Sequence, residues 1–385
     1  MNFDLNFILQ KGDFQLRLND TLSLNQVLAI WGSSGSGKSL LLRTIMGLEP
    51  KFCGTIVPPR ELCLELIEHH PNLMEKVFAK KSHSKFAWRS HLAYVGQYAY
   101  LFPHLSVAEN LEFSGERAVG CLDIAHESFL SPDAIVASLG LEDLLPLKPD
   151  NLSGGQRQRV AISQALRKRP KVLLLDEPLS AIDAISRRHI LQFLQTIKSY
   201  CNIKIIYVTH SFEEVLLLAD NLLVLEQGQV LANDNIKEVM SQSTQRSSPF
   251  LPQSQLCSLL PTEVKQIREE ESLSVLEFSG GEIFKNWHSG DAQGDKVDVV
   301  IYAEDVSISL KPTTETTILN CLAAVIEKVQ PFSSGKILVT LKIGNWQLLA
   351  LVTQSSYQRL SLAIGRDVYA HFKALSLSRL EGATL

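Results

Sequence analysis

Residues 27–46 of this 385-residue chain read VLAIWGSSGSGKSLLLRTIM. Five apolar residues, a loop matching G-x-x-x-x-G-K-S and a second apolar run leave few folds open. A buried strand has to feed a glycine-rich turn, and a helix has to pack back on the sheet. Gly32, Gly35 and Gly37 let the loop 32–39 curl, so that its N–H groups, with those of Ser33, Ser34 and Ser36, point at phosphate oxygens. Lys38 is placed to reach β- and γ-phosphates and the Ser39 hydroxyl to ligate Mg²⁺.

Three further stretches extend this site. Residues 152–160 read LSGGQRQRV. Gly154 and Gly155 allow close backbone approach to an anion, Ser153 offers a hydroxyl, and Val160, Ala161, Ile162, Ala165 and Leu166 mark a helix starting there, whose bare N–H groups suit phosphate. A helix cap after a turn, with Arg157 and Arg159 in solvent, is the plain alternative. Residues 172–177 read VLLLDE, a short apolar run ending in two carboxylates. That pattern fits a central parallel strand, and ligands in open α/β sheets lie beyond the carboxyl ends of strands. Asp176 would hold Mg²⁺ and Glu177 would polarise the attacking water. Residues 205–210, IIYVTH, repeat the arrangement with His210 at the strand end, placed to hold the water and Glu177 in line.

In this order the four stretches resemble the nucleotide-binding subunit of ATP-binding-cassette (ABC) transporters, over about residues 1–235. The resemblance implies an α/β P-loop NTPase fold, a RecA-like core with a helical subdomain, with ATP and Mg²⁺ as cofactors. It implies a Q-loop glutamine at Gln97, in YVGQ, as a further Mg²⁺ ligand, and a signature at Ser153, Gly154, Gly155 and Gln156 that completes the ATP site of a partner subunit. It also implies a D-loop, SAID, ending at Asp183 and a switch histidine at His210. Ile182 stands where leucine is usual, a swap of similar volume with no expected consequence. Phe14 is the candidate base-stacking aromatic, against the alternative of a core phenylalanine on an early strand.

Composition narrows the class. A net charge of −4 without a basic stripe argues against nucleic acid as the main partner. Six cysteines, at 53, 63, 121, 201, 257 and 321, form no C-x-x-C pair, which suggests reduced thiols in a cytosolic compartment. The start, MNFDLNFILQ, shows no basic region before an apolar core, so no signal peptide is expected, and no apolar run is long enough to span a bilayer. A membrane role would then come through a separate permease.

Between the phosphate loop and Gln97 the chain is longer than the family's pattern needs. Residues 60–70 suit an amphipathic helix, followed by Lys76, Lys80, Lys81, Lys85 and Arg89; a surface insertion and an added membrane contact both fit. Residues 102–111, FPHLSVAENL, fall where the family places the groove for a permease helix. Residues 112–150 look helical, with breaks at Gly115, Pro132, Gly140 and Pro146. A hairpin over 222–231 closes the first domain, and residues 236–256, rich in Ser, Gln and Pro from 241 on, read as a linker.

Beyond it the hydrophobic period becomes alternating, as in a small all-β, OB-like barrel region over 257–385. Residues 296–310 and 367–377 align at a 69-residue offset, with Asp298 on Asp367, as a weak internal repeat of two barrel units. The stretch from about 313 to 380 resembles the oxyanion-binding module appended to the ATPase subunit of molybdate importers. Thr317, Thr353 and Lys373 match positions suited to a tetrahedral oxyanion, which makes molybdate a candidate ligand. Leu319 stands where stand-alone modules often carry arginine, so dimer contacts and regulation are the alternative role. Together the resemblances imply an ATPase that drives molybdate import. They imply a homodimer, a permease dimer and, indirectly, a periplasmic oxyanion-binding protein, at the cytoplasmic face of the inner membrane. Sulfate, tungstate, ferric iron or a sugar are other substrates of related ATPases. Non-transport ABC ATPases usually carry a coiled coil or two cassettes, and this chain shows neither.

Overall fold

The computed structural model describes residues 1–49, 51–62, 87–115, 130–180, 182–245, 256–287, 291–312, 315–333 and 335–380. Two compact units divide the chain, Met1–Ile236 and Lys237–Leu385.

The first unit begins with β1 (Asn2–Lys11), β2 (Phe14–Ser23), β3 (Val27–Trp31), α1 (Lys38–Ile45), β4 (Cys53–Val57) and β5 (Leu92–Val95). There follow α2 (Val107–Gly115), α3 (Pro132–Ser138), α4 (Gly154–Leu166), β6 (Val172–Asp176) and α5 (Ala184–Tyr200). It ends with β7 (Lys204–Thr209), α6 (Phe212–Leu218), β8 (Asn221–Glu226) and β9 (Gln229–Asn235). The central sheet has the order β5-β6-β7-β3-β8-β9. Its neighbours pair in parallel except β8 and β9, the expected hairpin.

The apolar runs read as buried strands lie here, because both faces of the sheet are covered. On β6, Val172 and Leu174 join Leu41, Leu42 and Ile45 of α1 in one core. Leu173 and Leu175 face the other way, into a core with Val160 and Ile162 of α4 and Ile190 and Leu194 of α5. A strand with no solvent face carries no polar alternation. A second sheet, β2-β1-β4, adds Phe3, Leu5, Phe7 and Leu9 from alternate positions of β1 to the α1 core.

The expected helical breaks fall at element ends. Gly115 closes α2, Pro132 opens α3 with Ser131 as its N-cap, and Gly140 follows α3 in the left-handed region at φ 57°. Of the expected amphipathic helix, residues 60–62 form a short 3-10 turn and the rest, with the lysines at 76–85, lies outside the described residues.

The linker expectation needs correction. Residues 236–245 form a helix, α7 (Ile236–Gln245), with Ile236, Val239 and Met240 buried. Those three sit at i, i+3 and i+4, a helical stripe that the Ser and Gln content masked. Residues 246–255 lie outside the described residues.

The second unit holds β10 (Cys257–Arg268), β11 (Leu273–Phe278), β12 (Gly281–Asn286), β13 (Lys296–Tyr302) and β14 (Ser307–Ser309). It continues with β15 (Asn320–Ser333), β16 (Lys336–Ile343), β17 (Trp346–Thr353), α8 (Gln354–Arg359), β18 (Asp367–Phe372) and β19 (Ser378–Leu380). Two five-stranded sheets, β12-β11-β10-β13-β19 and β14-β18-β15-β16-β17, share one core. Each half lends its last short strand to the other: β14 pairs with β18, and β19 with β13.

That exchange sets the repeat at 71 residues rather than 69. It places Ala303 on Ala374 and the pair Ser378↔Val300 on the pair Ser307↔His371. A slip of two residues keeps every side chain on its own face, so alternation alone could not fix the offset.

Candidate nucleotide site

Strands β6, β7 and β3 are neighbours and their carboxyl ends lie level, with Trp31 opposite Thr209 and Asp176 opposite Val208. The loop 32–37 leaves β3 there and enters α1. Gly32 is obligatory, since a Cβ would lie 2.0 Å from the Leu225 carbonyl oxygen. Gly35 and Gly37 adopt left-handed φ of 80° and 102°, a region other residues reach only at a cost. Lys38 is 4% exposed, and its ammonium donates to the carbonyls of Gly32 and Ser33, each at 2.9 Å. Burial pushes its pKa down, opposed by the charges of Glu177 and Asp176.

Both oxygens of Asp176 are held. Ser39 Oγ donates to Oδ1 at 2.8 Å and Tyr94 Oη to Oδ2 at 3.0 Å. Burial raises this carboxyl's pKa, and the two hydrogen bonds oppose the shift. Glu177 has a left-handed backbone, φ 47°, and its N–H donates to the Val208 carbonyl at 2.9 Å. A side chain there costs roughly 1–2 kcal/mol, and such strain clusters at functional sites. Its carboxylate lies 3.7 Å from Lys38 Nζ and 3.2 Å from His210 Nδ1.

Other expected residues are placed nearby. Gln97 is exposed, with Nε2 3.5 Å from Ser180 Oγ, and Ser180 Oγ in turn donates to the Glu177 carbonyl at 3.1 Å. Phe14 is half-buried; a Cβ on Gly37 would lie 2.9 Å from its ring, so this aromatic borders the phosphate loop. Ser153 is the N-cap of α4 in a capping box. Its hydroxyl accepts the Gln156 N–H at 3.2 Å, and its own N–H donates to Gln156 Oε1 at 2.8 Å. The hydroxyl proton stays available to an outside acceptor. Gly155 needs its small size: a Cβ would lie 3.1 Å from both Ile182 and Ser186, so signature and D-loop pack together. Asp183 Oδ1 accepts the Ser186 N–H at 2.9 Å, while Ala181 lies outside the described residues.

The loop fits phosphate and the carboxylate end fits a hard divalent cation. Among the described residues, Ser36 Oγ is buried and has no hydrogen-bond partner, an acceptor-seeking donor inside the loop. Ser39 and Asp176 supply the oxygen donors that Mg²⁺ prefers.

The three oxyanion candidates are exposed and do not converge within one chain. Lys373 follows Phe372, which pairs with Asn320 at the start of β15, and Thr317 lies just before that start. Thr353 pairs with Lys336, which pairs with Ser333 at the other end of β15. There Thr353 caps α8, accepting the Ser356 N–H at 3.1 Å.

Sequence reasoning assigned no role to Tyr94 or Gln158, and Ser180 stood there only as the first residue of the D-loop string. Tyr94 is a hydroxyl-tipped residue in an otherwise aliphatic strand, which is a readable signal. Buried Gln158 donates to the Gly96 carbonyl at 3.2 Å, linking α4 to the residue before Gln97. Its sequence signal is a polar side chain on the apolar face of a helix.

Residues 16–180 match the ABC transporter family, and residues 316–378 match the TOBE domain family. The molybdenum import ATP-binding protein ModC of Albidiferax ferrireducens is 35% identical over 97% of this chain and 95% of its own length. That of Escherichia coli K12 is 33% identical over 97% of this chain and 99% of its own. A solved ATP-binding subunit of an ABC transporter covers 64% of this chain and 95% of its own, at 20% identity and a TM-score of 0.50, which supports the fold. The chain therefore belongs to the ATP-binding proteins of ABC transporters, among relatives curated as molybdenum import ATP-binding proteins.

Proposed function

We propose that this chain hydrolyses ATP to drive molybdate import through a partner permease. One observation carries the chemistry: Lys38, Ser39, Asp176, Glu177 and His210 converge at the level carboxyl ends of three neighbouring strands. Full-length similarity to molybdenum import ATP-binding proteins supports the substrate.

Lys38 and the N–H groups at the start of α1 bind the β- and γ-phosphates, and Phe14 offers its ring to the base. Ser39, Asp176 and Gln97 would hold Mg²⁺, which neutralises developing phosphate charge. Glu177 accepts hydrogen bonds from the attacking water, and His210 holds Glu177 and the γ-phosphate in line. When the γ-phosphate enters, Lys38 turns from the Glu177 carboxylate, which frees that carboxylate for water. Ser153, Gly154, Gly155 and Gln156 face the γ-phosphate bound by a second copy of the chain, so the active form is a head-to-tail homodimer. The Phe102–Leu111 stretch beside Gln97 docks the permease at the cytoplasmic face of the membrane. Asn110 staples that stretch, accepting the Phe102 N–H and donating to the carbonyls of Phe102, Leu105 and Ser106. Among the described residues no helix is long and apolar enough to cross a membrane. The β-rich unit is regulatory, and its Thr317–Lys373 end is the better candidate for oxyanion contact, with Thr353 serving α8.

Reconstitution of the full chain with its permease in liposomes tests this reading. Hydrolysis stimulated by a binding protein loaded with molybdate, and not by one loaded with sulfate, is the expected result. Equal stimulation by both would overturn the substrate assignment.

A further inference from the structure

Below the loop that carries His210 lies a buried carboxylate that the hydrolysis scheme does not use. Glu214, on α6, is 5% exposed. Its Oε2 accepts two hydrogen bonds, from Tyr207 Oη at 2.8 Å and from Thr209 Oγ1 at 2.7 Å. Thr209 Oγ1 also accepts the Ser211 N–H at 3.0 Å. The residues on both sides of His210 are thus tied through one hydroxyl to one carboxylate. The other carboxylate oxygen faces Arg187 Nε at 4.0 Å. Arg187 belongs to α5, the helix that Asp183 of the D-loop caps, and its Nη2 donates to the Leu179 carbonyl at 3.4 Å. Leu179 lies between Glu177 and the D-loop.

A buried carboxylate is costly to keep unless several donors share it. Nothing in the packing of β7 on α6 requires a charge, since Val215, Leu216 and Leu218 of α6 bury apolar surface. What this carboxylate does that an apolar side chain could not is fix Thr209, and with it the backbone entering and leaving His210. We propose that Glu214 is a positioning residue for His210: through Thr209 it sets the loop that aims the histidine at Glu177, and through Arg187 it ties that loop to the D-loop helix. The proposal rests on His210 acting in hydrolysis.

Two near-isosteric variants separate positioning from support of the fold. Thr209→Val and Tyr207→Phe each remove one hydrogen bond to the same buried oxygen, so both lower the melting temperature of the full chain, Thr209→Val by more because the Ser211 N–H also loses its acceptor. Only Thr209 is joined to the histidine loop. Thr209→Val lowers kcat by about tenfold with KM for ATP little changed, the pattern of a lost interaction that acts in the transition state. Tyr207→Phe leaves kcat within about twofold. In a His210→Ala background, Thr209→Val has no further effect on kcat, because residues acting through one another are non-additive. Equal kcat losses from both variants, or an undiminished Thr209→Val loss without His210, would overturn the proposal. If His210→Ala alone leaves hydrolysis intact, the role given to His210 fails instead, and the proposal with it.

Discussion

Each unit of this chain buries a lysine, and the two lysines are used in opposite ways. Lys285, 1% exposed, contacts its counter-charge: Asp291 lies at 3.1 Å and takes a further hydrogen bond from Ser274. Among the described residues, Lys38, 4% exposed, bonds only loop carbonyls at contact distance, and its nearest carboxylate stands off at 3.7 Å. A buried cation in contact with its anion is part of the fold. One held by carbonyls, beside a buried hydroxyl without a partner, is set for an anion that comes and goes. The first unit gathers such groups at one sheet edge, whereas the second spends its buried charges on itself and leaves its candidate ligand residues exposed and apart.

The largest expected effect tests the first unit. Glu177→Gln should lower hydrolysis by about a hundredfold or more while ATP still binds, since a positioned base contributes 10²–10⁴; steady-state phosphate release measures it. Next comes the contrast between the lysines. Lys285→Met strands Asp291 in the core and should cost about 3–5 kcal/mol of stability in the second unit. Lys38→Met should leave thermal stability nearly unchanged and abolish ATP binding, as read by titration calorimetry. If the two losses come out alike, the contrast is wrong.

Smaller effects sharpen it. Tyr94→Phe removes one of two hydrogen bonds to Asp176 and should cost about 1 kcal/mol of Mg²⁺-dependent nucleotide binding, with binding in the presence of a chelator unchanged. Thr353→Ala removes the α8 cap and should cost about 1 kcal/mol of stability, leaving hydrolysis alone. If Thr353→Ala instead weakens molybdate binding by the full chain as much as Lys373→Ala does, the two ends of β15 meet in an assembly that one chain does not contain.

The first unit was legible because its chemistry sits in short strings joined to strand ends. Gly32–Ser39, Asp176–Glu177 and His210 each follow an apolar run, and the parallel sheet brings those ends together. Tyr94 and Glu214 were not legible in that way. Tyr94 acts through a hydroxyl reaching the end of the neighbouring strand, and Glu214 looks in sequence like one more helix carboxylate beside Glu213. The second unit was half legible. Alternation marked strands such as β13 and β18, but strands of period two leave register open, hence the two-residue error in the repeat. The helix at 236–245 was hidden by a polar composition that its three buried residues override.

On the proposed reading, the convergent site is completed by a group from a second copy of the chain. Ser153 is exposed, and its hydroxyl, which accepts the Gln156 N–H, keeps its proton for an outside acceptor, proposed to be the γ-phosphate of a second copy. Light scattering of the Glu177→Gln chain with ATP and Mg²⁺ tests this directly. A dimer that Ser153→Arg converts to a monomer still binding ATP through Lys38 is the expected result. A dimer that survives Ser153→Arg would show that the signature is not half of the partner's site.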